Sequence, residues 1–201
     1  MLHNAIRECQ ACSNAGFHIT ADPLASGSAP APFMLIGQAP SLTDQRDGEM
    51  YRGPAAVKLK SWLLQAGFVE QDFGRTIYFT ALTKCFPGRL PGKSTDRAPS
   101  QTERSLCRHW LEQQIELVQP RVIILFGKMA IDTFLPKISL DQSIGRSFTC
   151  DGRTYLPLPH SSGASTWLNA PEHRTLLNEA LEQLRALRQG EPFHADVVAM
   201  L

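Results

Sequence analysis

The stretch Phe33-Met34-Leu35-Ile36-Gly37-Gln38-Ala39-Pro40-Ser41 joins a short apolar run to a loop of small residues. An apolar run of this length that stops at a glycine is typical of a buried strand entering a loop. The small residues that follow allow a ligand to approach the backbone closely. We therefore predict a buried strand over residues 33–36 and a candidate binding loop, residues 37–41, at its carboxyl end.

Three more segments have the composition of strands. Residues 77–82 are rich in aromatic and β-branched side chains, and residues 122–127 are apolar up to a glycine. Later in the chain, Asp151-Gly152 has the composition of a two-residue turn between residues 147–150 and 154–158. We predict a buried strand in each of the first two segments and a hairpin in the third.

Helical patterns lie between and after these strands. Apolar residues at helical spacing predict one helix over residues 57–67. Ser100-Gln101-Thr102-Glu103 has the spacing of a capping box, which predicts a helix that runs to about Gln119. A short helix is predicted over residues 128–134, and leucines on one face of residues 171–188 predict a terminal amphipathic helix.

Strands that alternate with helices predict a parallel sheet covered on both faces. The fold class is then α/β, a three-layer α/β/α sandwich with a central, mostly parallel four-stranded sheet. Ligands of such sheets bind beyond the carboxyl ends of the strands. Four polar or glycine-containing segments are predicted to lie at that edge, namely residues 38–41, 83–85, 127–128 and 160–165.

Composition places the chain among globular proteins. It has 201 residues, 43% of them hydrophobic and 19% charged, which predicts one domain over 1–201 with an N-terminal segment 1–32 and a C-terminal tail 190–201. No apolar run reaches membrane-spanning length and the N-terminus lacks the apolar stretch of a signal peptide, so we expect a cytoplasmic protein. A net charge of +1 gives no overall signal for nucleic-acid binding.

Cysteine usage points to a metal. In a reducing compartment, thiols are more often metal ligands or buried hydrophobes than disulfides. Cys9 and Cys12 form a close pair, and Cys85 and Cys107 follow as distant singles, which gives a thiolate quartet. Such a quartet fits either an iron-sulfur cluster or a tetrahedral zinc ion. Cys150 lies outside the quartet and is predicted to be a buried thiol.

The segment between the two later cysteines is basic. Residues 84–108 hold six Lys and Arg side chains against Asp96 and Glu103. On composition alone this pattern is more typical of a solvated loop and helix face, but its position between two predicted metal ligands points to a DNA-backbone contact. The residues that we expect to contact DNA in this segment are Lys84, Arg89, Lys93 and Arg97.

Several motifs in a fixed order resemble those of a known family. They are Cys9-x-x-Cys12 with Lys84-Cys85 and Cys107, the loop 37–41, Gly48-Glu49-Met50-Tyr51-Arg52-Gly53, and His160-Ser161-Ser162. On these motifs, over roughly residues 9–187, the chain resembles the uracil-DNA glycosylase superfamily, specifically its iron-sulfur branch of the family-four type. The resemblance implies a [4Fe-4S] cluster on the four cysteines, with structural zinc as the alternative.

The resemblance also implies roles for individual residues. Cleavage of an N-glycosidic bond puts negative charge on the departing base, so the site needs donors aimed at a base carbonyl oxygen. We expect His160 to supply one and Asp44, at an acidic position of the family, to stabilise the cationic sugar. Tyr51 is expected to stack on a flipped base. The full set of expected substrate-binding residues is Gly37, Gln38, Ala39, Pro40, Tyr51, Ala81 and Ser162.

Three positions depart from the family pattern. Ala81 stands where the family has an asparagine that pairs with uracil, which predicts weak discrimination of uracil from other bases. Ala164 stands where a leucine often fills the gap left by the flipped base, so single-stranded or distorted DNA is the expected partner. Ser161 replaces a proline.

The expected function is that of a DNA glycosylase for uracil or a related deaminated base in base excision repair, acting as a monomer. The alternative is a catalytically silent iron-sulfur protein that keeps the fold and binds DNA. His160 favours the enzyme, whereas Ala81 and Ala164 favour the silent protein.

Overall fold

A computed structural model describes residues 1–19, 22–90, 92, 95–135, 138–162, 166–191 and 195–197. Apolar and β-branched segments form one sheet at the centre of the molecule. Its strands are β1 (Phe33–Gly37), β2 (Ile77–Ala81), β3 (Val122–Phe126), β4 (Phe148–Cys150), β5 (Arg153–Leu158) and β6 (Asp196–Val197).

The strand order is β2-β1-β3-β5-β4-β6. β1 pairs in parallel with β2 and β3, and β3 pairs in parallel with β5. The predicted α/β class and mostly parallel sheet are therefore confirmed, whereas the predicted number of four strands was wrong. Five of the described strands have three or more residues. One of them, β4, turns back beside β5 as an additional strand of the same sheet, and the two-residue β6 pairs with β4. Asp151 and Gly152 have φ values of 49° and 72°, as the predicted hairpin turn requires.

The four predicted helices begin and end close to the predicted positions, and the described residues contain four further short helices that were not predicted. The Ser100 side chain accepts from the Glu103 N–H, and the Glu103 carboxylate accepts from the Ser100 N–H, so the capping box is present. The helices are α1 (Leu2–Arg7), α2 (Ala11–Asn14), α3 (Leu42–Asp47), α4 (Pro54–Gln65), α5 (Gln101–Val118), α6 (Lys128–Phe134), α7 (Leu140–Ser143) and α8 (Pro171–Gln189). Short 3-10 turns cover Glu70–Asp72 and Trp167–Asn169.

Alternation along the strands divides the sheet into two apolar faces. Tyr78 in β2 contacts Gln114 of α5, and Tyr155 in β5 packs against Phe134 of α6, so α5 and α6 cover one face. Phe33 of β1 points to the other face and packs against Phe68, just after α4. α8 packs against α4 and β5. These layers give the predicted sandwich, with the carboxyl ends of β1, β2, β3 and β5 together at one edge, here called the carboxyl edge.

Among the described residues, no helix combines the length and the apolar character needed to cross a membrane.

Candidate active site and thiol pocket

Tyr51 lies across the carboxyl edge, over the ends of β1 and β2. Its hydroxyl donates to the Thr80 carbonyl oxygen at 2.9 Å, and its ring lies 5.0 Å from that of Phe79, centre to centre. A Cβ atom at Gly37 would come within 2.4 Å of the tyrosine hydroxyl, so only glycine permits this approach. Burial raises the pKa of the Tyr51 hydroxyl well above its usual value, which keeps it protonated as a donor.

Asp44 organises the loop that carries Tyr51. Its carboxylate accepts hydrogen bonds from three backbone N–H groups, those of Ser41 at 2.8 Å, Arg52 at 2.6 Å and Gly53 at 3.3 Å. These bonds join the start of α3 to the two residues that directly precede α4. They also hold Tyr51 at φ 62°, a left-handed conformation that costs a non-glycine residue about 1–2 kcal/mol. The geometry thus gives Asp44 a positioning contact; its predicted role at the sugar stays a prediction.

His160 follows β5 at the same edge and packs against the end of β3. Its ring stacks on Phe126, 4.9 Å between ring centres and 27° between planes. A Cβ at Gly127 would lie 3.2 Å from the imidazole Cδ2, and φ 87° there also favours glycine. Burial lowers the pKa of His160, so the ring is neutral near pH 7.

The backbone beside His160 sets its tautomer. Nδ1 accepts the N–H of Ser162 at 3.2 Å, which leaves the ring proton on Nε2. The neighbouring Ser161 is buried, and its hydroxyl donates to the Ala55 carbonyl oxygen at 2.5 Å in the first turn of α4. His160 therefore presents a neutral Nε2–H donor from a loop that is tied to α4.

The other predicted substrate-binding residues follow β1 and end β2. Gln38 and Ala39 are half-buried in the loop after β1, and Pro40 is buried. Ala81 is fully buried at the end of β2, next to Thr80. The structure thus brings these positions to the edge where Tyr51 and His160 lie, and their contacts with a base stay predictions.

The four predicted metal ligands lie around one small cavity on the α5 side of the sheet, here called the thiol pocket. Cys9 and Cys12 come from the α1–α2 segment, Cys85 follows β2, and Cys107 lies in α5. Among the described residues, two hydrogen bonds reach the sulfurs: Trp110 Nε1 donates to Cys9 at 3.1 Å, and the Lys84 backbone N–H donates to Cys107 at 3.3 Å.

The chemistry of the thiol pocket suits a bound cation. Burial, reinforced by the neighbouring cysteines, raises the pKa of Cys12 to about 11 and that of Cys85 to about 12. Such thiols become thiolates only when a metal offsets their charge. Within the described part of the chain, no three His, Cys, Asp or Glu side chains are grouped closely enough to hold a single metal ion.

Lys84 does not lie at the surface, where it was predicted to contact DNA. Only 1% of the residue is exposed, and its ammonium donates to Thr80 Oγ1 at 3.1 Å and to the Ala81 carbonyl oxygen at 2.5 Å. Burial lowers its pKa to about 8, an effect that Cys107 and Cys85 oppose. The predicted phosphate contact is corrected on this ground, because the side chain is enclosed between β2 and the thiol pocket.

The two arginines of the basic segment that were predicted to contact DNA already have acidic partners. Arg89 lies 3.5 Å from Asp96, and both side chains are well exposed. Arg97 makes two 2.7 Å bonds to Glu103, whose side chain is 3% exposed. Arg89 thus remains accessible to a phosphate, whereas Arg97 anchors the segment to the start of α5. Lys93 and Ala164, also predicted to contact DNA, lie outside the described residues.

Sequence reasoning missed several residues that build these two regions. Ser161 was noted only as a departure from the family pattern, yet its buried hydroxyl ties the His160 loop to α4. Phe126 was assigned only to a strand, and it is the surface on which His160 stacks. Trp110 falls one helical turn after Cys107, a spacing that could have indicated its contact with the thiol pocket.

Comparison with known proteins agrees with this geometry. A family model described as the Uracil DNA glycosylase superfamily matches residues 25–185. A Type-4 uracil-DNA glycosylase of Saccharolobus solfataricus is 26% identical over 204 residues, 98% of this chain and 89% of that protein. A protein of the same description from Thermotoga maritima is 25% identical over 162 residues, 78% of each chain. A DNA polymerase of Bacillus phage SP01 is 25% identical over 168 residues, 82% of this chain but 17% of the polymerase. Since the family model spans most of its length, this chain belongs to the Uracil DNA glycosylase superfamily.

Proposed function

We propose that this protein is a DNA glycosylase that hydrolyses the N-glycosidic bond of uracil or a related deaminated base, as the first step of base excision repair. Two relatives that match most of the chain are described as uracil-DNA glycosylases. Water adds to the sugar carbon, and the base leaves with the electron pair of the broken bond. The protein must therefore stabilise negative charge on the base.

The observation that carries the proposal is the tautomer of His160. Because Nδ1 is occupied by the Ser162 N–H, Nε2 carries the proton and offers it from the carboxyl edge. Its lowered pKa keeps the ring neutral, so it donates a hydrogen bond without adding a fixed charge. Such a donor contributes most in the transition state, when the base has become negative. Ser162 acts through its backbone in this arrangement.

The remaining edge residues form the wall against which a flipped base would rest. Tyr51 is rigid, because Gly37, the Thr80 carbonyl and the Asp44 loop fix it from three sides. The adjoining loop after β1 contributes the backbone groups of Gln38, Ala39 and Pro40. Ala81 offers no polar group to the edge of the base, so we propose broad base recognition rather than strict selection of uracil.

We further propose that Cys9, Cys12, Cys85 and Cys107 hold a [4Fe-4S] cluster. The four thiols share one pocket, and a tetrahedral zinc ion could use the same ligands. Zinc ribbons usually place their cysteines as two close pairs, whereas Cys85 and Cys107 are distant singles, which favours the iron-sulfur cluster. Such a centre supplies structure here, since it joins the N-terminal segment to α5 and to the basic segment, from which Arg89 would contact DNA.

The experiment that tests the activity uses iron-loaded protein and oligonucleotides carrying uracil, hypoxanthine or xanthine, each in single- and double-stranded form. Alkaline cleavage then reports abasic sites. We expect release of at least one base, faster from single strands, because less unstacking work is needed. Absence of abasic sites on every substrate would contradict the proposal.

The second candidate function is DNA binding without catalysis, and Ala81 is the observation that favours it. Ala81→Asn separates the two candidates, since an amide at this buried position would restore a partner for the base edge. In an enzyme it should raise the preference for uracil by roughly 1–3 kcal/mol. If the wild type and Ala81→Asn both bind DNA and release no base, the silent protein is the better description. A monomeric state and a cytoplasmic location remain part of the proposal.

A further inference from the structure

Lys84 is a buried charged residue that the proposed reaction does not use. Its ammonium donates two hydrogen bonds, to Thr80 Oγ1 and to the Ala81 carbonyl oxygen, and both acceptors are neutral. No carboxylate in the described part of the chain forms an ion pair with it. An enclosed ammonium without an opposite charge is strongly unfavourable, and a negative charge close to it would offset that cost.

The hydrogen bonds beyond Thr80 do not supply that charge. Thr80 Oγ1 donates to Gln114 Oε1 at 2.8 Å, and Gln114 Nε2 donates to the Tyr78 hydroxyl at 2.8 Å. The Tyr78 hydroxyl lies 2.7 Å from His3 Nε2 at the end of this chain of bonds. Each donor points away from Lys84, so the chain fixes and polarises the ammonium, but every member of it is neutral or basic.

The thiol pocket is the remaining neighbour of Lys84. The residue lines that pocket, and its backbone N–H donates to the Cys107 sulfur at 3.3 Å. Four cysteine thiolates around an iron-sulfur core or a zinc ion leave a net negative charge, which is the charge that the ammonium lacks. The ammonium and such a centre are thus opposite in charge, and the residue that carries the ammonium lines the pocket that would hold the centre.

We propose that Lys84 is the built-in counter-charge of the four-cysteine metal centre, held in place by the Ala81 carbonyl and Thr80. This inference rests on the metal centre of the proposed function. It assigns Lys84 to stabilising the bound cluster rather than to contacting DNA or substrate. It also explains why this lysine is enclosed although the segment after it is basic and exposed.

The first test measures the midpoint potential of the cluster in Lys84→Met, Lys84→Gln and the matched surface variant Lys58→Met. Reduction adds negative charge, so losing a nearby positive charge favours the oxidised cluster and lowers the potential. We expect at least a tenfold change in the ratio of oxidised to reduced cluster at fixed potential, about 59 mV for a one-electron couple. Lys58 is exposed on α4, and its variant should match the wild type.

The two Lys84 variants separate charge from hydrogen bonding. Glutamine can still donate to Ala81 and Thr80, whereas methionine cannot. A shift in both variants supports the counter-charge. A shift in Lys84→Met alone assigns the effect to the hydrogen bonds and overturns the inference, as does no shift in either variant.

The second test compares melting temperatures with and without the metal, and it remains informative if a variant fails to assemble its cluster. In the metal-free protein the thiols are protonated and Lys84 lacks its partner, so Lys84→Met should melt at the same or a higher temperature than the wild type. In the metal-loaded protein it should melt lower or lose iron faster. A lysine needed only for packing would give a lower melting temperature in both forms, which would overturn the proposal.

Iron analysis of the wild type distinguishes the failure of this inference from that of the proposed metal centre. If the wild type binds neither iron nor zinc, the proposed metal centre is wrong. If the wild type holds a full cluster, and neither Lys84→Met nor Lys84→Gln changes its potential and stability, only the proposed role of Lys84 is wrong.

Discussion

The thiol pocket and the carboxyl edge both include residues at or just after the end of β2, but they are held by different interactions. At the carboxyl edge, directional hydrogen bonds accepted by Asp44 and donated by Ser161 and Ser162 fix the loops. In the thiol pocket, the described residues give the sulfurs two hydrogen bonds, and the lining combines apolar side chains such as Trp110 with the buried Lys84. The edge is therefore organised by the chain itself, whereas the pocket depends on what it binds. Substitutions in the two regions should differ in what they disturb.

The largest expected effect is in the thiol pocket. Cys107→Ser should sharply reduce bound iron, because Cys107 is the most buried of the four ligands. The loss of a structural metal should lower the free energy of unfolding by several kcal/mol, since binding free energy is folding free energy at such sites. Iron content and the melting temperature measure both effects.

Cys150→Ser is the matched control, since Cys150 is also buried but lies in β4, away from the pocket. It should keep its iron. Equal iron content in Cys107→Ser and the wild type would exclude Cys107 as a ligand.

At the carboxyl edge the largest expected effect is on rate rather than stability. His160→Ala removes the Nε2–H donor and should slow base release by roughly 10²–10³-fold. DNA affinity should change little, because the bond strengthens mainly in the transition state. Single-turnover excision and binding assays separate the two quantities. His18→Ala, an exposed histidine, is the control and should behave like the wild type; an unaltered rate in His160→Ala would end the catalytic assignment.

Asp44→Asn tests whether this carboxylate positions the Tyr51 loop or acts on the sugar. An amide has only one oxygen with which to accept the three backbone N–H groups, and its own N–H₂ opposes them. We expect a loss of roughly 1–3 kcal/mol in the free energy of unfolding, accompanied by slower base release. A slower rate with an unchanged melting temperature would instead favour a direct role at the sugar.

The thiol pocket and the carboxyl edge also differ in how much of their structure the sequence predicts. The strands, the long helices and the hairpin were predictable, because apolar period, capping and turn residues act locally, as at Ser100 and Asp151-Gly152. That the four cysteines lie around one pocket was predictable, because cysteine is rare and the spacing of these four resembles that of a known family. The number of strands was underestimated, since nothing local shows that β4 and β6 extend the same sheet.

The carboxyl edge is harder to predict because its interactions are mostly with backbone atoms. No pattern indicates that the Asp44 carboxylate accepts three backbone N–H groups or that the Tyr51 hydroxyl reaches the Thr80 carbonyl. The prediction for the basic segment was wrong at Lys84. The local positive charge predicted that Lys84 lies at the surface, whereas the residue is buried. Its enclosure depends on β2, α5 and the thiol pocket coming together, which composition does not describe.

The smallest expected effect concerns the contact that ties the His160 loop to α4. Ser161→Ala removes one hydroxyl-to-carbonyl bond, and the Ala55 carbonyl can still accept within the helix, so the cost should be about 1 kcal/mol. Because the bond lies one residue from His160, the rate of base release should fall several-fold while DNA affinity stays the same. Ser161→Pro supplies backbone rigidity without the hydroxyl, as in the related family motif, and should recover part of the rate. If Ser161→Ala releases base as fast as the wild type and melts at the same temperature, the stacking on Phe126 and the Ser162 N–H bond to Nδ1 fix the His160 loop without the Ser161 hydroxyl.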